Sequence, residues 1–150
     1  MKSLFIFFFL LLIPACAIQQ PATKEEMNHE YIVEYPGLTK STIFTQTLKW
    51  IANNFKSSKA VIEYQDTASG SIIGNGRSNT SFFGGSDLIF TMNLDIRNGR
   101  ARYRFINLEV DAVGGSVPVP DSQKWHNEAK RIFDDIVNRL TTATNKTDNF

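Results

Sequence analysis

Leu88-Ile89-Phe90-Thr91-Met92-Asn93-Leu94-Asp95-Ile96-Arg97-Asn98-Gly99-Arg100-Ala101-Arg102-Tyr103-Arg104-Phe105 is the stretch whose reading decides the fold. Leu88, Phe90, Met92, Leu94 and Ile96 alternate with Ile89, Thr91, Asn93, Asp95 and Arg97. Period two puts one set on a buried face and the other on a more polar face of a strand. Asn98-Gly99 is a strong hairpin signal, because a type I′ turn needs positive φ at both central positions. A two-residue turn sets Arg97 opposite Arg100, Asp95 opposite Arg102, Leu94 opposite Tyr103 and Met92 opposite Phe105. The inner face is then Phe90, Met92, Leu94, Ile96, Ala101, Tyr103 and Phe105. A one-residue slip would turn all of them to water, so the pattern pins the register.

Upstream, Lys59 to Gln65 reads as a strand, and 66–70 (Asp-Thr-Ala-Ser-Gly) carries turn chemistry. Ser71 to Arg77 reads as the returning strand. Ile43, Phe44, Leu48, Ile51 and Phe55 recur at helical spacing, which predicts a helix from about Lys40 to Asn54 with Thr39 or Ser41 as N-cap. Before it, Tyr31 to Tyr35 has strand composition and ends at the Pro36-Gly37 turn. Downstream, Gly114 to Pro120 is a breaker segment. Asp121 is then a candidate N-cap for a second helix with the stripe Trp125, Ala129, Ile132, Phe133, Ile136 and Leu140. Both stripes read as core.

The order is strand, helix, four strands, helix (β-α-β-β-β-β-α). Hairpin connections make the sheet mainly antiparallel. The helices can bury their stripes only against that sheet, so they share one face and leave the other open. The fold class is α+β, a two-layer sandwich.

The termini read differently. Lys2, the apolar run Leu4 to Ile13, then Pro14 and Ala15 have the three parts of a secretory signal over residues 1–15. The run is far short of the ~20 apolar residues a membrane span needs. Ile13-Pro14-Ala15-Cys16 resembles a lipobox, which makes Cys16 a lipidation site. Ala15-Cys16-Ala17 offers a rival, ordinary cleavage that would release a soluble protein starting at Ile18. Cys16 is the one cysteine of the chain. It has no intramolecular disulfide partner, which favours acylation. Stable anchoring takes more than one acyl chain, and bacterial lipoproteins carry two or three. The expectation is an exported protein held to a membrane through acyl chains on Cys16. Ala17 is not Asp, which favours the outer membrane in a Gram-negative host. After Cys16, residues 17–29 are polar and aperiodic and read as a flexible tether. The domain spans 30–141, and 142–150 read as a disordered tail.

The chain has 16 Lys and Arg and 15 Asp and Glu. Removing residues 1–15 takes away Lys2 and no acid, so the mature chain is neutral. A generic polyanion binder would carry an excess of positive charge, so nucleic acid is disfavoured.

Three stretches carry a family resemblance. They are Leu48-Lys49-Trp50-Ile51-Ala52-Asn53-Asn54-Phe55, Gly70-Ser71-Ile72-Ile73-Gly74-Asn75-Gly76 and Asn98-Gly99-Arg100-Ala101-Arg102-Tyr103-Arg104-Phe105. With the element order, they make the region from Tyr31 to Leu140 similar to a bacterial domain of unknown function with a TBP-like fold, often found behind signal or lipoprotein sequences. The resemblance implies a topology. It brings no catalytic residues, and fold does not imply function.

Arg97, Arg100, Arg102 and Arg104 share one sheet face and could clamp phosphate, carboxylate or sulfate groups. The plainer alternative is a solvated face on which Asp95 pairs with Arg102 and arginine stems cover Ile89 and Ile106. Gly74-Asn75-Gly76-Arg77 lacks the spacing of a phosphate loop, and its glycines fit a bulge or a close backbone approach. His29 falls in the tether and His126 on a helix surface. The two are far apart in sequence and make no metal site of familiar spacing. Ser122 and His126 do not resemble a nucleophile elbow, and Asp134-Asp135 diverge on a helix. The sequence calls for no catalytic residues and no cofactor. It points to a binding module in the cell envelope, with the open sheet face or the Phe82-Phe83 loop meeting an envelope protein or an anionic ligand. A secreted enzyme with a dispersed site is the alternative.

Overall fold

A computed structural model describes residues 29–55, 60–81 and 85–146. Six strands and two helices follow one another as β1 (Glu30–Glu34), α1 (Lys40–Asn54), β2 (Ala60–Asp66), β3 (Ser71–Asn79), β4 (Asp87–Arg97), β5 (Arg100–Ala112), β6 (Gly115–Pro118) and α2 (Gln123–Asn145). The sheet order is β1-β5-β4-β3-β2, with β6 also pairing β5, and every pairing is antiparallel. The chain is an α+β two-layer sandwich.

The β4–β5 register is the one the alternation dictates, with Arg97 across from Arg100, Asp95 from Arg102, Leu94 from Tyr103 and Met92 from Phe105. Phe90, Met92, Leu94, Ile96, Ala101, Tyr103 and Phe105 are all buried. The turn itself differs from the type I′ expectation. Gly99 has φ 74°, but Asn98 does not share the positive φ. The cause is tertiary. The Asn98 Oδ1 accepts from the Lys40 amide at 2.8 Å. The Gly99 carbonyl accepts from Tyr35 N at 2.7 Å, and Gly99 N donates to the Leu38 carbonyl at 2.9 Å. The segment between β1 and α1 thus satisfies the turn's polar groups and sets its shape.

Beyond Phe105 the simple alternation would send Glu109 into the core. Between Ile89 and Thr91 the register shifts, so that Thr91 faces Ile106 but Ile89 faces Glu109. Asn107 sits at the shift with φ 53°. Asparagine tolerates this left-handed conformation better than most residues. The bulge inserts one residue into β5, so Val110 turns inward and Glu109 outward. β5 continues to Ala112 and turns into β6, where the glycine-rich breaker segment had suggested no strand.

Thr39 caps α1, its Oγ1 accepting from Thr42 N at 3.2 Å. The cap of α2 is Ser122 rather than Asp121, which stays exposed. The tail was expected to begin at 142, yet α2 runs to Asn145, and Thr144 is fully buried. Both helices pack on one face of the sheet. Ile43, Phe44, Trp50 and Ile51 of α1 meet Ala129, Ile132, Phe133, Ile136 and Leu140 of α2 and the inner strand residues in a single core. Each buried isoleucine, leucine or phenylalanine among them contributes roughly 1.5–3 kcal/mol. At its centre Phe105 and Phe133 stack with ring centres 4.1 Å apart, and Phe90 meets both edge-on. No helix among the described residues is long and apolar enough to cross a membrane.

Candidate functional site

With both helices on one side, no described element covers the other face of the sheet. Its residues follow from the registers. Glu34, Arg100 and Arg97 form one row, Ile32, Arg102, Asp95 and Ser71 the next, and Glu30, Arg104, Asn93 and Ile73 the third. All four sequence-predicted arginines therefore lie on this face, at the β4–β5 turn end. Ile32 is 64% exposed in their midst, and Ile106 and Tyr64 are also exposed. The expected cover from arginine stems is incomplete, since Ile89 is half-buried while Ile106 is not.

The four guanidiniums are not equivalent. Arg102 donates to Asp95 Oδ2 from Nη2 at 2.8 Å and from Nε at 3.2 Å. Arg104 reaches the same oxygen from Nη2 at 3.4 Å, and its Nε lies 4.0 Å from Glu30 Oε2. The hydrogen bond and charge of Asp95 hold the Arg102 guanidinium in its charged form even more firmly. Among the described residues Arg97 and Arg100 have no ion-pair partner. Both are exposed, and with Ile32, Asp95, Ala101 and Arg102 they line a depression of about 240 Å³. A planar fork with free N–H groups is suited to oxyanions.

The Gly74-Asn75-Gly76-Arg77 stretch lies within β3 and cradles no loop. Gly76 faces Phe90 across the ladder, and a Cβ there would lie 2.5 Å from the ring's Cζ. Close approach thus accounts for Gly76. Arg77 is held by Asp87 and Asp111. Asp134 and Asp135 diverge to Lys130 and Arg139.

Two placements read from sequence are corrected. His29 is 5% exposed and His126 is 9% exposed, so neither belongs to a tether or a helix surface. The rings stack, with His29 Nε2 3.4 Å from His126 Nδ1, and His29 meets Phe133 edge-on. The backbone carbonyl of His29 accepts from Phe105 N at 3.0 Å, which extends the β1–β5 pairing to this residue. Burial, then the His126 and Lys130 charges, push the His29 pKa down to about 4, against a smaller opposing pull from Asp134. Among the described residues no group of three or more His, Cys, Asp or Glu could hold a metal ion.

One charged residue has no counterpart in the sequence reading. Glu128 on α2 is 7% exposed. Its Oε1 accepts from Ser81 N and Ser81 Oγ, both at 2.8 Å, and its carboxylate takes Arg131. The Arg131 bond, with the two from Ser81, holds the pKa at about 2 despite burial. Glu128 ties the segment after β3 to α2. Its partner lies 47 positions away, and no local pattern announces it. Cys16 and Phe82-Phe83 lie outside the described residues.

Comparison with known proteins places this geometry. A TBP-like protein from Parabacteroides distasonis ATCC 8503 superposes with a TM-score of 0.68 at 9% identity, covering 84% of this chain and 97% of that one. A DUF4468 family protein from Bacteroides ovatus ATCC 8483 superposes with a TM-score of 0.61 at 14% identity, covering 87% of this chain and 92% of that one. At such identities the likeness shows the fold alone. No curated protein matches. The family described as "Domain of unknown function (DUF4468) with TBP-like fold" matches residues 29–111, more than half of the chain, and the protein belongs to that family.

Proposed function

We propose that this protein is a lipid-anchored component of the bacterial cell envelope that acts as a non-catalytic binding module. In this reading Cys16 carries the acyl chains, the polar segment after it spans from the bilayer to the domain, and the outer membrane is the site in a two-membrane host. The open sheet face is the surface offered to a further envelope component. The observation that carries the reading is that face. Both helices lie on the other side, and the face presents exposed Ile32 among guanidiniums, two of which have no carboxylate partner among the described residues. Guanidinium forks without a carboxylate beside an exposed apolar side chain make a surface able to take up a charged group together with its apolar body.

Two experiments test it. Cells fed a fatty-acid analogue should label the wild type and not Cys16→Ser; a wild type without label refutes the anchor. A photocrosslinker in place of Ile32 should capture an envelope component that one in place of Lys49, exposed on α1, does not. Equal profiles at the two positions refute the face.

A further inference from the structure

We infer that the depression at the β4–β5 turn is a recognition site for a phosphate group, with Arg97 and Arg100 as its two ligand-binding forks. This deepens the proposed function and rests on the open face being the working surface. The argument starts from how Asp95 divides the arginines. One carboxylate already engages Arg102 and, more weakly, Arg104, so Arg102 is a wall of the depression held in place and Arg104 is occupied beside it. Arg97 and Arg100 stand across from each other in the ladder and line the same depression with their N–H groups unclaimed among the described residues. Glu34 stands across from Arg100 on β1, yet it closes no ion pair with it.

Two like charges directly opposite each other on a ladder are destabilising. A bound dianion would relieve that repulsion. A carboxylate brings one charge and two oxygens, and Asp95 already spends one of those oxygens on both Arg102 and Arg104. Two adjacent forks match a group with more acceptor oxygens and two charges, which a phosphate supplies. The position next to a turn matters too. Gly99 and Asn98 are held by backbone and side-chain bonds from Tyr35, Leu38 and Lys40, so the base of both arginines is rigid. Exposed Ile32 at the rim leaves room for an apolar or uncharged body attached to the phosphate.

A phosphate is met either free in solution or borne on a surface, and the test separates the two sources. The purified mature chain is titrated with inorganic phosphate, and separately with phosphatidylcholine vesicles containing phosphatidate, while the arginine side-chain N–H signals are followed by NMR. Saturable shifts at Arg97 and Arg100 with inorganic phosphate identify a soluble ligand. Saturation only with phosphatidate vesicles identifies a surface-borne phosphate. In either case Arg97→Gln/Arg100→Gln should weaken binding roughly tenfold or more. Arg97→Lys/Arg100→Lys, which keeps the charge but loses the forks, should fall between. Both arginines are exposed, and circular dichroism checks that the variants fold. The inference is overturned if neither titrant saturates, if the Gln variant binds as the wild type does, or if acetate binds as tightly as phosphate. Capture by the Ile32 crosslinker without phosphate binding removes this inference and leaves the open-face reading standing. Phosphate binding without capture keeps the open face as the working surface and this inference with it, and removes only the envelope component as the partner met there.

Discussion

Gly76→Ala tests the packing that holds the sheet to its core. The new Cβ would lie 2.5 Å from Cζ and 3.1 Å from Cδ2 of Phe90. That ring cannot swing away freely. It is 1% exposed and sits edge-on to both Phe105 and Phe133 at 5.7 and 5.1 Å between ring centres. Forcing a methyl into such a site costs about 1–3 kcal/mol through off-rotamer side chains and backbone shifts. Against this, replacing glycine at a backbone angle open to other residues gains about 0.4–1 kcal/mol by restricting the unfolded chain. The clash wins, and a net loss of about 1–2 kcal/mol is expected. Phe90→Leu removes Cε2 and Cζ, the two atoms the methyl approaches most closely. In that background the alanine should be neutral or stabilising, so the two changes should couple by about 1–2 kcal/mol, within the range found for residues in contact. Urea unfolding followed by the fluorescence of Trp50 and Trp125 measures all four proteins. An unchanged midpoint for Gly76→Ala, or the same loss with and without Phe90, would refute the close-approach argument.

Three further outcomes are expected. His29 titrates near 4 in the fold against 6.5 when unfolded, so below pH 6.5 the unfolded chain takes up a proton that the folded one refuses. Stability should therefore drop by up to about 3 kcal/mol between pH 6.5 and 4, and His29→Gln should flatten that slope in urea midpoints taken across the window. Glu128→Ala should cost about 2–3 kcal/mol at pH 7 and expose the Ser81 amide to hydrogen exchange. Because the Glu128 pKa is depressed to about 2, its contribution is full above the ordinary carboxylate range. The difference from wild type should shrink as pH falls from 4.5 to 2; a difference independent of pH contradicts the charge argument. Asn107→Val should destabilise by roughly 1–2 kcal/mol, since a β-branched residue resists positive φ, while Asn107→Gly should be close to neutral by thermal melting. Equal melting temperatures for the two would count against the bulge.

The limits of sequence reasoning show at particular residues. The arginine rows were legible because the period of a strand and the length of a turn fix who faces whom. Which arginines go without an ion pair among the described residues was not, because that depends on how the Asp95 carboxylate is shared. His29 looked like tether because polar neighbours precede it and the ring that covers it belongs to α2. Asn107 carried a weak signal, an asparagine interrupting an alternating run, that could have marked the bulge. The glycines of Gly114-Gly115 hid β6, since a short edge strand needs only a ladder partner and gains nothing from its own composition.

Periodicity by itself determined the two helices, the central hairpin register and the division into a buried and an open face. Those follow from backbone geometry repeated over adjacent residues, and adjacent residues are what a sequence displays. Only the tertiary structure decided the conformation at Asn98, the burial of His29 against His126, the grip of Glu128 on Ser81 and the release of Arg97 and Arg100. Each of these is a polar group choosing its partner, and the partners come together only when distant segments have already packed.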